Sequence, residues 1–274
     1  MKLGYIDYLN CYPFHFHMFE RQPVPGVEIV PAYPSTLNRM LGRGELDMSA
    51  ISAGALGDLG HSVLLLPDFC LSSVGYVHSV LLRSKLPIEE LDGCSVGITR
   101  ASRTSEILLK ILLERRYHIR PVYVVTDPNP FMSGLDAALL IGNEAMMSSK
   151  QLVPFTYDLG ELWLRETGFP VVFAVFAVHE NGARNFPSEI AAVIDSYRRS
   201  LDCLAAEEEV VVKGACARYP DIVYDVRSYY HLFQFEFTAN LKDALQFYLD
   251  SAADLGLFPK KTVPTYFRSD ERRG

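Results

Sequence analysis

The opening fifty residues alternate short apolar runs with helical stretches, and this alternation limits the fold more than any other feature. Residues 3–9 read as a strand, and Asn10-Cys11-Tyr12-Pro13 as a turn into a helix beginning near Phe14. Residues 27–32 form a second strand. Pro34-Ser35-Thr36 then offers an N-cap for a helix with Leu37, Met40 and Leu41 on one face, which Gly42 and Gly44 end. Residues 47–52 give a third strand. Strand, helix, strand with short connections is a βαβ unit and predicts a parallel sheet.

Beyond this unit the pattern predicts apolar strands over 63–66 and 75–82, then a polar connection over 84–93. A new unit follows, with a strand over 94–99 and a helix capped by Ser102-Arg103-Thr104-Ser105. That helix runs through Arg115 and carries Ile107, Leu108, Ile111 and Leu112 on its buried side. Strands are expected over 121–125, 136–141 and 171–178, and helices over 187–203 and 240–255. The expected fold class is therefore α/β and two-lobed. A discontinuous first lobe comprises 1–84 and 176–274, and the second lobe is the insertion 85–175. Two strands, near 82–86 and 172–178, cross between them. Two crossings make a hinge, and a cleft between the lobes is the expected ligand site.

The formal net charge of −7 lacks the basic field that nucleic acid or an anionic membrane surface requires, so neither is expected as a partner. The longest strongly apolar stretch, 171–178, is far too short to span a bilayer. The five cysteines are scattered and without CxxC spacing, as reduced thiols are, and the opening residues carry no secretory signal pattern. A cytoplasmic protein is expected.

Open α/β sheets bind ligands beyond the carboxyl ends of their strands. That rule selects Asn10 and Cys11, Ser35 and Thr36, Ser52, the group Ser102, Thr104 and Ser105, and Gly142 with Asn143. Small and hydroxyl residues at helix starts suit carboxylate binding through free N–H groups and hydroxyls, and they equally suit simple capping. His15 and His17 lie two apart and share no helix face, and no HExxH or Cys/His set exists, so no metal is expected. His78 reads as a core or cleft histidine in an apolar strand. Residues 207–209 read as a solvated face, and the aromatic stretch 229–237 as core.

Several segments carry a resemblance. Gly4-Tyr5-Ile6-Asp7-Tyr8-Leu9-Asn10-Cys11-Tyr12-Pro13-Phe14 resembles the start of the chorismate dehydratases of the futalosine route to menaquinone. Residues 71–80, which contain Ser73 and Ser79, resemble that family's serine–glycine strand. Ser102-Arg103-Thr104-Ser105 resembles its Ser-x-Thr-Ser helix start, 137–145 its Ile-Gly-Asp segment, and 157–174 its Trp-x-x-x-Thr-Gly return segment. The matches run in order from about residue 2 to 178. The resemblance implies a type II periplasmic-binding-protein fold, and dehydration of chorismate to 3-[(1-carboxyvinyl)oxy]benzoate with no metal or organic cofactor. It makes Asn10 the central active-site residue. Ser52, Ser73, Ser79, Ser102, Thr104, Ser105, Gly142 and Asn143 are the candidates for holding substrate. Asn143 stands where the family commonly has Asp.

Asn10 is no general base at neutral pH. The reading therefore gives the proton to the substrate's own enolpyruvyl carboxylate, with His78 or Asp7 as the alternative base. The rival functions are a non-catalytic binding protein for a small anion and a dihydroxynaphthoate synthase of the same pathway.

Overall fold

The computed structural model describes residues 1–147, 152–258 and 261–268. The chain begins with β1 (Lys2–Ile6), a 3-10 turn (Leu9–Cys11), α1 (Tyr12–Phe16), β2 (Glu28–Ala32), α2 (Pro34–Gly42), β3 (Met48–Ser52), α3 (Leu56–Leu59) and β4 (Val63–Ser73). Next come β5 (Val80–Ser84), β6 (Ser95–Thr99), α4 (Arg103–Lys110), β7 (Val122–Thr126), β8 (Ala137–Ile141), α5 (Gly142–Met146), β9 (Phe155–Asp158) and α6 (Leu159–Thr167). The return consists of β10 (Val171–His179), α7 (Glu180–Asn185), α8 (Pro187–Ala206), α9 (Glu208–Arg218), α10 (Val226–Tyr230), β11 (Phe233–Glu236) and α11 (Ala239–Asp254).

Two sheets result, a six-stranded one ordered β11-β4-β10-β3-β1-β2 and a five-stranded one ordered β7-β6-β8-β5-β9. β1 is parallel to β2 and β3, as the βαβ pattern requires. β10 returns antiparallel between β3 and β4, so the first lobe is built from both ends of the chain. This is the two-lobed α/β architecture with a discontinuous first lobe.

The structure differs from expectation in four places. The first strand stops at Ile6 because Cys11 N–H already donates to Tyr8 O (3.0 Å), closing a turn. The strands expected over 63–66 and 75–82 are instead one long strand, β4, followed by β5 from Val80. Pro67 survives inside β4 because the ladder to β10 is irregular between Leu65 and Cys70, where a missing N–H costs no bond. The helix α2 is capped by Tyr33 with Pro34 in its first turn, not by Ser35 or Thr36. Finally, β5 and β10 each lie within one sheet, so the chain changes lobe earlier than 84/85 and 175/176, through 74–79 and 168–170.

Asp158 fastens the first of these crossings. Its Oδ2 accepts from Val77 N (3.1 Å) and His78 N (2.6 Å), while Oδ1 caps α6 by accepting from Gly160 N and Glu161 N. Gly168, left-handed at φ +78°, ends α6 at the second crossing. His78 is thus a crossing residue at φ +64° rather than a strand residue.

The lobes are packed together. Trp163 of α6 sits with its ring centroid 5.9 Å from Phe247 and 6.0 Å from Tyr248 on α11, and Tyr248 Oη donates to Thr104 O at 3.0 Å. One buried apolar cluster runs through both lobes. Among the described residues no helix is long and apolar enough to cross a membrane.

Candidate functional site

A cavity lies between the lobes, where small-molecule sites of such folds are expected. Its first-lobe wall comes from Tyr8, Asn10 and Cys11 after β1, Ser52 at the end of β3, and Phe173, Ala174 and Phe233. The second-lobe wall comes from Val77, Ser79 and Val80, from Ser102 and Ser105 at the start of α4, and from Ile141 and Gly142 at the end of β8. These are the carboxyl ends of β1, β3, β6 and β8.

Of the sequence-selected residues, Asn10, Ser52, Ser79, Ser102, Ser105 and Gly142 therefore share one wall-to-wall space. Five do not line it. Ser73 Oγ donates to Gly75 O (3.2 Å) at the start of the crossing. Thr104 is fully buried between lobes, where Oγ1 donates to Phe173 O (2.8 Å) and accepts from Gly54 N (3.1 Å). Asn143 Oδ1 accepts from Leu9 N at 2.9 Å, so the second lobe holds the turn that carries Asn10. An aspartate carries the same Oδ1 acceptor, so the Asn143 departure leaves this contact possible. Ser35 and Thr36 also lie outside the cavity, with Ser35 N donating to Ala101 O across the lobes.

The polar groups facing the cavity are unevenly satisfied. Tyr8 Oη, Asn10 Oδ1 and Ser52 Oγ are buried without a hydrogen-bond partner, and buried polar atoms left so in one place mark a ligand surface. Ser102 Oγ, in contrast, caps α4 by accepting from Ser105 N (3.3 Å) and meets Ser105 Oγ at 3.2 Å. Behind the cavity wall, the Tyr229 hydroxyl donates to Ser79 Oγ at 2.7 Å. Tyr229 lies in the stretch read from sequence as core; it is fully buried, and its hydroxyl bonds Ser79, which lines the cavity.

Among the described residues no Asp, Glu, Lys, Arg or His lines the cavity. Its two titratable side chains are poor bases or acids at neutral pH. Burial pushes the Cys11 thiol up to about 12, and burial, reinforced by the Glu144 carboxylate, holds the Tyr8 hydroxyl far above its ordinary range. Tyr8 also packs against Gly142, where an added Cβ would stand 2.6 Å from the ring. The two alternative bases lie elsewhere. His78 stacks on Tyr224 (centroids 3.8 Å apart) and hydrogen-bonds Tyr76, while Asp7 accepts from Tyr219 Oη at 2.9 Å. Among the described residues no group of three or more His, Cys, Asp or Glu comes together as metal ligands do.

Sequence reasoning missed Tyr8, Val77, Phe173, Phe233 and Tyr229 as site residues. Tyr8 stood two residues from Asn10 in the opening motif and was the one within reach.

The comparisons agree with this architecture. A model of the family described as menaquinone biosynthesis matches residues 1–254. A chorismate dehydratase of Thermus thermophilus is 32% identical over 196 residues, covering 64% of this chain and 68% of that protein. A protein of Archaeoglobus fulgidus superposes with a TM-score of 0.76 at 18% identity, over 94% of this chain and 98% of its own. The periplasmic aliphatic sulphonate binding protein of Escherichia coli superposes at 0.68 with 14% identity, over 96% and 94%, which shows a shared fold. With the family model spanning both lobes and the cavity between them, the chain belongs to the menaquinone biosynthesis family.

Proposed function

We propose that the protein is a chorismate dehydratase that eliminates water from chorismate to give 3-[(1-carboxyvinyl)oxy]benzoate, in the cytoplasm and without metal or organic cofactor. The observation that carries this reading is a cavity with hydrogen-bonding groups on both walls and, among the described residues, no side chain able to act as a base at neutral pH. Such a site suits a reaction whose driving force and base both reside in the substrate.

Aromatisation supplies the driving force. The enolpyruvyl carboxylate takes the C3 proton, the C3–H electron pair becomes a ring double bond, and the C4–O bond breaks. The departing oxygen takes up one proton and leaves as water. The protein orients and desolvates the dianion. On this reading the N–H groups opening α4, together with Ser102, Ser105 and Ser52, hold carboxylate oxygens. Asn10 fixes the conformer in which the substrate carboxylate reaches C3. Thr104, Asn143 and Ser73 serve by keeping the lobes and the Asn10 turn in register.

The test is purified protein with chorismate, followed by mass spectrometry. The expected result is loss of one water, unaffected by exhaustive chelation. Unchanged chorismate that nonetheless binds would make this a binding protein, and activity restored by one divalent metal would overturn cofactor independence.

A further inference from the structure

Leu9 stands between the two residues that the opening turn sends into the cavity. Tyr8 and Asn10 line that cavity, whereas Leu9 is fully buried and does not. Both backbone polar groups of Leu9 are held by side chains, one from each lobe. Its N–H donates to Asn143 Oδ1 of α5 at 2.9 Å, across the cleft. Its carbonyl oxygen accepts from the Tyr230 hydroxyl of α10 at 3.1 Å and also from Tyr12 N–H, which closes the 3-10 turn. A carbonyl oxygen has two lone pairs, and here both are used. Tyr12 N–H is enough to satisfy the turn. The second bond brings in a buried phenol from 221 residues away.

A peptide unit is planar, so the Leu9 carbonyl shares its plane with the Asn10 nitrogen and Cα. Holding that oxygen sets the plane from which the Asn10 side chain departs. The preceding plane, which contains the Tyr8 Cα and the Leu9 N–H, is the one that Asn143 holds. We infer that Tyr230 is a positioning residue for Asn10: its hydroxyl fixes the Leu9–Asn10 peptide, and through it the direction in which the Asn10 amide enters the cavity. Tyr230 does not itself line the cavity. Its bond to Leu9 lies within the first lobe, while the Asn143 bond crosses between lobes. The Asn10 turn thus has one hold independent of lobe closure and one that needs it. The kinetic consequence rests on the proposed dehydration, in which Asn10 fixes the reacting conformer and a small misplacement lowers the rate.

Tyr230→Phe removes one hydroxyl, keeps the ring and leaves Tyr12 N–H on Leu9 O, so the fold should persist, which thermal unfolding checks. In steady-state kinetics the variant should lower kcat about tenfold with KM within about twofold. In the Asn10→Ala background, where no amide is left to position, the same change should alter kcat by less than about twofold. Tyr248→Phe is the matched control. It also strips a phenol from a backbone carbonyl, Thr104 O at 3.0 Å, and its effect should be the same in both backgrounds. A second readout needs no turnover. The Asn10 side-chain amide signal in a nitrogen–proton NMR spectrum, identified by its absence from Asn10→Ala, should shift or double in Tyr230→Phe and stay in place in Tyr248→Phe. A kcat loss of equal size with and without Asn10, or an Asn10 signal that Tyr230→Phe leaves unmoved, would overturn the inference and make Tyr230 a packing residue. If chorismate is not dehydrated, the proposed reaction fails and the amide signal alone decides the positioning: a shift upholds it and an unmoved signal overturns it.

Discussion

The two polar edges of the cavity use similar residue types in opposite ways. At the start of α4, Ser102, Thr104 and Ser105 direct their hydroxyls largely at the protein: a helix cap, a mutual contact, and an inter-lobe clasp to Phe173 O and Gly54 N. After β1 and β3, Tyr8, Asn10 and Ser52 keep buried polar atoms unpartnered. The first edge is satisfied before a ligand arrives and offers mainly backbone N–H groups. The second has no partner within the protein and is open to a ligand. Groups already bonded in the protein contribute chiefly to stability, and groups left unbonded contribute to recognition.

The largest effect expected from this contrast is at Asn10. Asn10→Ala should lower kcat by about 10²–10³-fold, as loss of a preorganised polar group does, with a smaller change in KM and an unchanged melting temperature. Steady-state kinetics beside thermal unfolding checks this; near-native turnover would remove Asn10 from the chemistry. Asn10→Asp should lose affinity as well, because it sets a negative charge beside a dianion.

Next comes the ground on which Asn10 stands. His15, fully buried on α1, contacts Cys11 O through Nδ1 (3.0 Å) and the Tyr197 hydroxyl through Nε2 (3.2 Å). Burial lowers its pKa from 6.5 to about 4. The unfolded chain binds this proton more readily, so the stability is complete above pH 6.5 and is lost as pH falls towards 4. That loss is about 3 kcal/mol. Denaturant titrations across this window should show the slope, and His15→Gln should flatten it. An unchanged slope in the variant would place the acid sensitivity elsewhere.

Thr104→Ala should reverse the pattern of Asn10→Ala. It strips partners from Phe173 O and Gly54 N and should cost about 1–3 kcal/mol of stability while kcat falls little. A large loss of kcat with full stability would make Thr104 a substrate contact. Smallest is Ser102→Ala, which removes a cap worth about 1 kcal/mol and should show in thermal unfolding, with a modest rise in KM.

The same contrast explains what could be read from the sequence. The strand ends were legible, because β1, β3, β6 and β8 are short apolar runs closed by small residues, and Asn10, Ser52, Ser102 and Ser105 follow from them. Whether a hydroxyl is used by the protein was not legible. Thr104 and Ser105 look alike in sequence, yet only the structure shows Thr104 facing Phe173 and Gly54 rather than the cavity. Tyr229 was hidden for a different reason. It lies 150 residues from Ser79, within an aromatic stretch whose Tyr230, Phe233 and Phe237 are indeed buried. The lobe crossings were misplaced because apolar character runs on through β5 and β10, whereas the sheet to which each strand belongs is set by its pairing partners.

The central claim is that the cavity supplies no base and the substrate carboxylate does. It is tested most directly by chorismate whose enolpyruvyl carboxylate has been converted to the neutral amide. The analogue is bound to saturation, as judged by competition with chorismate, and followed in a single turnover at neutral pH. The account predicts occupancy without loss of water. Elimination from the bound amide at a rate near that of chorismate would contradict it and place the base on the protein.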